Sequence, residues 1–98
     1  MRFRFVDHKL EALYCEEKGA ERYERSVVKA FFRVMAIIAN APDPRDLRAL
    51  KSLHFEKLSG DRAGQHSLRL NDQWRLIITL ERDEEGHAVV VIEIVDYH

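Results

Sequence analysis

The first residues alternate. In "RFRFV", Arg2 and Arg4 alternate with Phe3 and Phe5, the two-residue period of a strand with one buried face. The period then lengthens. Asp7 is placed to N-cap a short helix reaching about Lys18, in which Leu10, Leu13 and Tyr14 recur at helical spacing and which Gly19 ends. A long helix is predicted over residues 20–39. Tyr23, Val27, Phe31, Val34 and Ile38 form one apolar stripe, and Val28, Phe32, Met35 and Ala39 form a second. A helix apolar on two stripes is either deeply buried or covered by a partner. The first stripe is assigned to the core. The second, through Val28, Phe32 and Met35, is assigned to a protein partner. Two prolines in "NAPDPRD" break the helix, and "LRALKSL" can form a further helical turn.

Beyond these helices the period returns to two. "HFEKL" reads as a short strand and "SGDRAG" as a turn. "QHSLRL" and "WRLIITL" form a hairpin around "NDQ". After a turn at "RDEEGH", the mostly apolar "AVVVIEIV" fits a central strand covered on both faces. The order predicts an α+β fold, with the N-terminal strand and two helices packed on one face of an antiparallel β-sheet. A length of 98 residues implies a single domain over residues 1–98.

Composition narrows the classes. Hydrophobic residues are 46% of the chain, enough for one core. The one cysteine, Cys15, precludes an internal disulfide and fits a reducing cytosol. Among the leucines of the first helix it is expected to be a small core residue, not a nucleophile. "MRFRFVDHK" is too charged for a signal peptide, and the longest apolar run, "AVVVI", falls far short of the ~20 residues that span a bilayer. A cytoplasmic protein with no membrane segment is expected. Histidines stand at 8, 54, 66, 87 and 98 without zinc-site spacing, and no glycine-rich nucleotide fingerprint is present. Neither a metal nor a cofactor is expected.

A net charge of −1 argues for modest affinity toward a polyanion, but the charge is uneven. Residues 51–80 carry five Lys/Arg and three Asp/Glu, while residues 81–98 carry one and six. A local basic face is compatible with that distribution. On the main hairpin, Trp74, Leu76, Ile78 and Leu80 share one face, and Arg75, Ile77 and Thr79 share the other. If the first set packs on the helices, Arg75 points to the open face. Arg69 then lies one strand away, and Arg62 in the preceding loop. Such arginines either solubilise a wet strand face or line a binding surface. Asp96, Tyr97 and His98 add a carboxylate, a phenol and an imidazole, all able to exchange protons. Adjacent strand residues point to opposite faces, so the three converge only if the strand bends there, and otherwise they form a frayed polar end.

The stretch "LSGDRAGQHSLRLNDQWRLIITLE" and the ending "VIEIVDYH" resemble the HigB-like toxins, the plasmid-maintenance killer group of the RelE/ParE superfamily. The close match covers residues 56–80 and 92–98, about a third of the chain. The resemblance implies two helices on an antiparallel sheet. It also implies a type II toxin that cuts mRNA on the ribosome without a cofactor. A helix-turn-helix, HigA-like antitoxin encoded beside it would neutralise it, and the toxin would reach operator DNA only through that antitoxin. By the same resemblance, Arg75 contacts the scissile phosphate and Asp96, Tyr97 and His98 supply acid–base groups. Arg62, Arg69 and Lys51 are expected to position RNA. Some relatives have a histidine at the place of Glu56 and a lysine at that of Ser59, whereas His54 and Lys57 lie two residues upstream here. Either Glu56 and Lys57 take over those roles, or the site relies on Arg75 and the C-terminal residues. A non-enzymatic ParE-type toxin that binds DNA gyrase, and a decayed toxin that binds only its antitoxin, are the alternative readings.

Overall fold

The computed structural model describes residues 1–96; Tyr97 and His98 lie outside the described residues. The alternation in β1 (Arg2–Phe5) turns Phe3 and Phe5 toward the helices. Both rings pack edge-on or tilted against Tyr14, at 5.4 and 5.6 Å between centroids, and Phe5 also reaches Phe31. This aromatic cluster ties β1 to α1 (His8–Glu16) and α2 (Arg25–Asn40). The chain continues through α3 (Pro44–Ala49), β2 (Glu56–Lys57), β3 (Gln65–Arg69), β4 (Trp74–Asp83) and β5 (Gly86–Asp96). The strands form one sheet in the order β1-β5-β4-β3-β2. The helices cover one face of it. Leu10 and Leu13 of α1, Phe31, Val34 and Ile38 of α2, and Leu47 of α3 pack on Leu68, Leu76, Ile78, Val89 and Val91 of the strands.

The α+β layering is as expected, with one correction to the sheet. β1 pairs in parallel with β5, Phe3 opposite Val89 and Phe5 opposite Val91, while the other neighbours are antiparallel. The helical segment between β1 and β2 carries the chain back across the sheet, and a parallel pair requires such a crossover.

Helix ends follow local chemistry. Asp7 Oδ1 accepts the Lys9 amide at 2.8 Å, the expected N-cap. α1 stops at Glu17, not Gly19. Glu17 takes the left-handed conformation (φ 56°), and the Lys18 amide reaches the Ala12 carbonyl at 3.3 Å. The long helix begins five residues later than predicted, after a 3-10 turn at Ala20–Arg22. α3 starts earlier than "LRALKSL" suggested. Asp43 caps it, with Asp46 closing a reciprocal capping box and Pro44 in the first turn.

Two expectations about burial fail. Met35 is 0% exposed, so it belongs to the core and cannot form an exposed patch with Val28 and Phe32. Those two are half-buried, and Phe32 stacks on Tyr14 at 6.2 Å. Tyr14 of α1 thus covers part of Phe32, while Val28 and Phe32 keep some exposed surface. Cys15, expected in the core, is exposed, because Leu10 and Leu13 take the inward side of a short helix and leave Cys15 on the far side.

β5 holds a bulge that matters for the site. Ile78 pairs with Val91 but Ile77 with Glu93, so Ile92 is the extra residue. The alternation is reset there. Ile94 returns to the helix side opposite Leu76, and Glu93 and Val95 come to the open face.

Candidate RNA-cleavage face

The β3–β4 turn sets the position of Arg75. Asn71 Oδ1 accepts the amides of Gln73 and Trp74 at 2.9 and 2.8 Å, an Asx turn that closes "NDQ". The freed Asn71 carbonyl then accepts Arg75 Nη1 at 2.7 Å, and the Trp74 carbonyl accepts the same nitrogen at 3.3 Å. Arg75 is thus half-buried and oriented on the face away from the helices, as expected. Its cross-strand neighbours are Arg69 on β3 and Val95 on β5. Like charges directly opposite each other destabilise a sheet. The pairing is tolerated because Arg69 is held by the Asp72 carboxylate and Arg75 by main-chain carbonyls.

The rest of the open face is apolar at its centre and neutralised at its rim. Ile77 is 1% exposed although it faces away from the core. Arg62 explains this. Its guanidinium donates to Gln65 Oε1 at 2.9 Å and pairs with Glu93 at 3.4 Å, so it bridges β3 and β5 over β4. Arg4 pairs with Glu81 and Arg2 with Asp83, each at 2.7 Å, and their stems shelter Val90 and Ala88 of β5. The Arg2 bond holds Asp83 below the usual carboxylate range.

The remaining candidates separate. Glu56 opposes Ser67 and so shares the face of Arg75, two strands away. Lys57 opposes His66, on the helix side, and cannot join Glu56 at one site because successive residues of β2 point oppositely. Asp96 opposes Trp74, one rung beyond the Arg75–Val95 pair, and accepts Gln73 Nε2 at 3.0 Å. By strand alternation it faces the side opposite to Arg75. Lys51 is exposed on a 3-10 turn at Lys51–Leu53.

Sequence reasoning missed four features. Asn71 orients Arg75; its signal was an Asx residue at the start of a tight turn. Glu93 is the carboxylate on the diagonal to Arg75; without the bulge it would fall on the other face. His66 is buried beside Phe55, 4.9 Å between centroids, and burial, then Arg48 and Lys57, push its pKa down. α2 carries three charges, Arg25, Lys29 and Arg33, all positive and every fourth residue. Lys29 and Arg33 line a cleft of 440 Å³ with Ser26, Ala30, Leu70 and Asn71. A neighbouring cleft of 290 Å³ shares Arg33, Leu70 and Asn71 and adds Ser52 and Arg69. A cleft of 640 Å³ between α3 and the β4–β5 hairpin, lined by Asp43, Arg48, Arg82 and His87 among others, does not include Arg75.

Residues 3–98 match the family described as RelE-like toxin of type II toxin–antitoxin system HigB. The curated Toxin HigB-1 of Vibrio cholerae serotype O1 is 36% identical over 77 residues, spanning 79% of this chain and 81% of that toxin. A YafQ mutant from E. coli superposes with a TM-score of 0.65 at 12% identity, over 98% of this chain and 93% of its own. A chain of the YoeB–YefM complex from Staphylococcus aureus gives 0.59 at 19% identity, over 100% and 97%. At those identities the two structures speak to the fold.

Proposed function

This chain belongs to the HigB-like toxins, RelE-like toxins of type II toxin–antitoxin systems, and as such it is an endoribonuclease whose substrate, we propose, is mRNA held on the ribosome. The observation that carries the reading is Arg75. It is fixed by two carbonyls on the open face of the sheet, directly across from a second arginine, an arrangement that costs stability and suits a phosphate.

The reaction needs three groups. The ribose 2′ oxygen forms a bond to the adjacent phosphorus as a base takes its proton. The bond from phosphorus to the 5′ oxygen breaks as an acid protonates that oxygen. Charge gathers on the non-bridging oxygens in between, where Arg75 would stabilise it, with Arg69 beside it. No step requires a metal. Glu56 and Glu93 share the face of Arg75 and supply carboxylates for the base. Tyr97 and His98, assigned by resemblance, would supply the acid. Asp96 would orient the chain end through Gln73. Arg62 and Lys51 would hold flanking phosphates.

The family partner is an antitoxin, and we read it as a helix-turn-helix, HigA-like protein that alone links the toxin to operator DNA. Among the described residues no helix is long and apolar enough to cross a membrane. A target on the ribosome would call for a cytoplasmic protein. A gyrase-binding ParE-type activity and a decayed toxin are not favoured. The test is cleavage of mRNA on a programmed ribosome by wild type and His98→Ala, with ribosome binding measured in parallel. Loss of cleavage by at least ~10²-fold with binding retained is expected for a general acid. Equal cleavage by both proteins sinks the catalytic role of His98, and no cleavage by wild type sinks the reading as a whole.

A further inference from the structure

We propose that the outer stripe of α2, Arg25, Lys29 and Arg33, is a docking track for the sugar–phosphate backbone of a single RNA strand. The inference rests on the RNA-cleaving reading and extends it to a surface on the helical side of the molecule.

Three observations point there. The first is charge without counter-charge. α2 contains no acidic residue, and among the described ion pairs none involves Arg25, Lys29 or Arg33. Four arginines of the open sheet face, Arg2, Arg4, Arg62 and Arg69, are each paired with a carboxylate. The second is that the helix is arranged against its own stability. Like charges four residues apart repel, and the positive end of the helix dipole repels cations in the first turns. Three exposed cations at that spacing do not stabilise the helix that carries them. The third is continuity. Lys29 and Arg33 line a cleft whose far wall is Leu70 and Asn71, and the next cleft joins Arg33 to Ser52 and Arg69. Asn71 is the residue whose carbonyl holds Arg75. A strand lying in this groove is led toward the proposed scissile position.

The chemistry of the groove selects the ligand. Residues four apart on a helix rise ~6 Å, a step comparable to that between successive phosphates of an extended strand. Ser26, Ser52 and Asn71 add groups that hydrogen-bond phosphate or a 2′-hydroxyl. No aromatic side chain lines either cleft, so bases have no stacking platform. Contact is therefore to the backbone and independent of sequence.

The probe is a labelled, unstructured single-stranded RNA of about 12 nucleotides, its binding to the purified protein followed across a salt series. Each backbone phosphate neutralised contributes ~0.7 to the log–log salt slope for single strands. The triple variant Arg25→Gln, Lys29→Gln, Arg33→Gln should lose about 2 units of slope and at least tenfold in affinity near 0.1 M salt, with unchanged circular dichroism. The double variant Arg2→Gln, Arg4→Gln, whose arginines already face carboxylates, should keep the wild-type slope. Wild-type slope in the triple variant overturns the track. So does an equal loss in both variants, which would report net charge alone. A triple variant that binds RNA normally but no longer binds the antitoxin overturns it in favour of an acidic protein segment. The ribosomal assay is separate. Ribosomal cleavage that needs Arg75, combined with an unchanged RNA slope in the triple variant, removes the track and leaves the RNA-cleaving reading. RNA binding that follows the track without ribosomal cleavage does the reverse.

Discussion

The open face of the sheet and the outer face of α2 both carry arginines, yet they treat charge in opposite ways. On the sheet, Arg2, Arg4, Arg62 and Arg69 are each paired with a carboxylate, and their stems cover apolar strand residues such as Ile77 and Val90. On α2, three cations stand together with no acid on the same helix. Counting arginines along the sequence marks the hairpin as the basic surface. Pairing them in space moves much of the uncompensated charge to the helix. Arg75 is held differently again: the main-chain carbonyls of Asn71 and Trp74 fix its guanidinium.

Substitutions can break or sharpen this contrast. The largest effect is expected from Arg75→Ala. Removing a preorganised donor from a developing oxyanion typically costs ~10²–10³-fold, so cleavage and growth arrest should both be lost. The melting temperature should move little, since the side chain leaves no core cavity. Growth arrest equal to wild type at matched expression would dissolve the distinction between Arg75 and the other arginines of the sheet.

Met35→Ala comes next and concerns the other side of α2. As a core residue, Met35 should cost ~2–5 kcal/mol in denaturant unfolding. A cost within ~0.5 kcal/mol would restore the exposed stripe that the sequence suggested. Glu93→Gln probes the sheet face itself. If Glu93 only neutralises Arg62, its removal should raise RNA affinity a few-fold and steepen the salt slope by ~0.7, with cleavage retained. If it serves as the base, cleavage should fall by ~10²-fold or more while affinity still rises.

Smaller effects are expected at the edges. Burial depresses the His66 pKa, so the unfolded chain binds the proton more readily than the folded one. His66 thus lends stability above its unfolded value of ~6.5 that is lost as pH falls below it. Thermal unfolding across pH 5–8 should show a shallower acid decline in His66→Phe than in wild type; identical slopes would remove His66 as the cause. Last, Arg4→Gln breaks an exposed pair and should change stability by no more than ~0.5 kcal/mol by chemical unfolding. A larger loss would mean that the rim pairs hold the sheet together and do more than neutralise it.

Local patterns in the sequence determined a good deal. Alternation in "RFRFV" and "WRLIITL" fixed which side chains face the helices, because a strand has a period of two whatever surrounds it. Asp7 capped the helix it was expected to cap, and Arg75 fell on the open face. The order of helices and strands defined the α+β layers. These are short-range effects, set within a few residues by sterics and hydrogen bonding. What depended on the third dimension was decided elsewhere. Only packing showed that Met35 is buried and that Tyr14 of α1 stacks on Phe32, because two apolar stripes on a helix do not say what lies against each. Only the sheet register put β1 parallel to β5 and, through the bulge at Ile92, brought Glu93 round to the face of Arg75. Only the paired strands separated Glu56 from Lys57. Charge was the least legible, since its effect depends on partners distant in sequence. Arg2 meets Asp83 and Arg62 meets Glu93 across the sheet, whereas Arg25, Lys29 and Arg33 meet no acid along their helix.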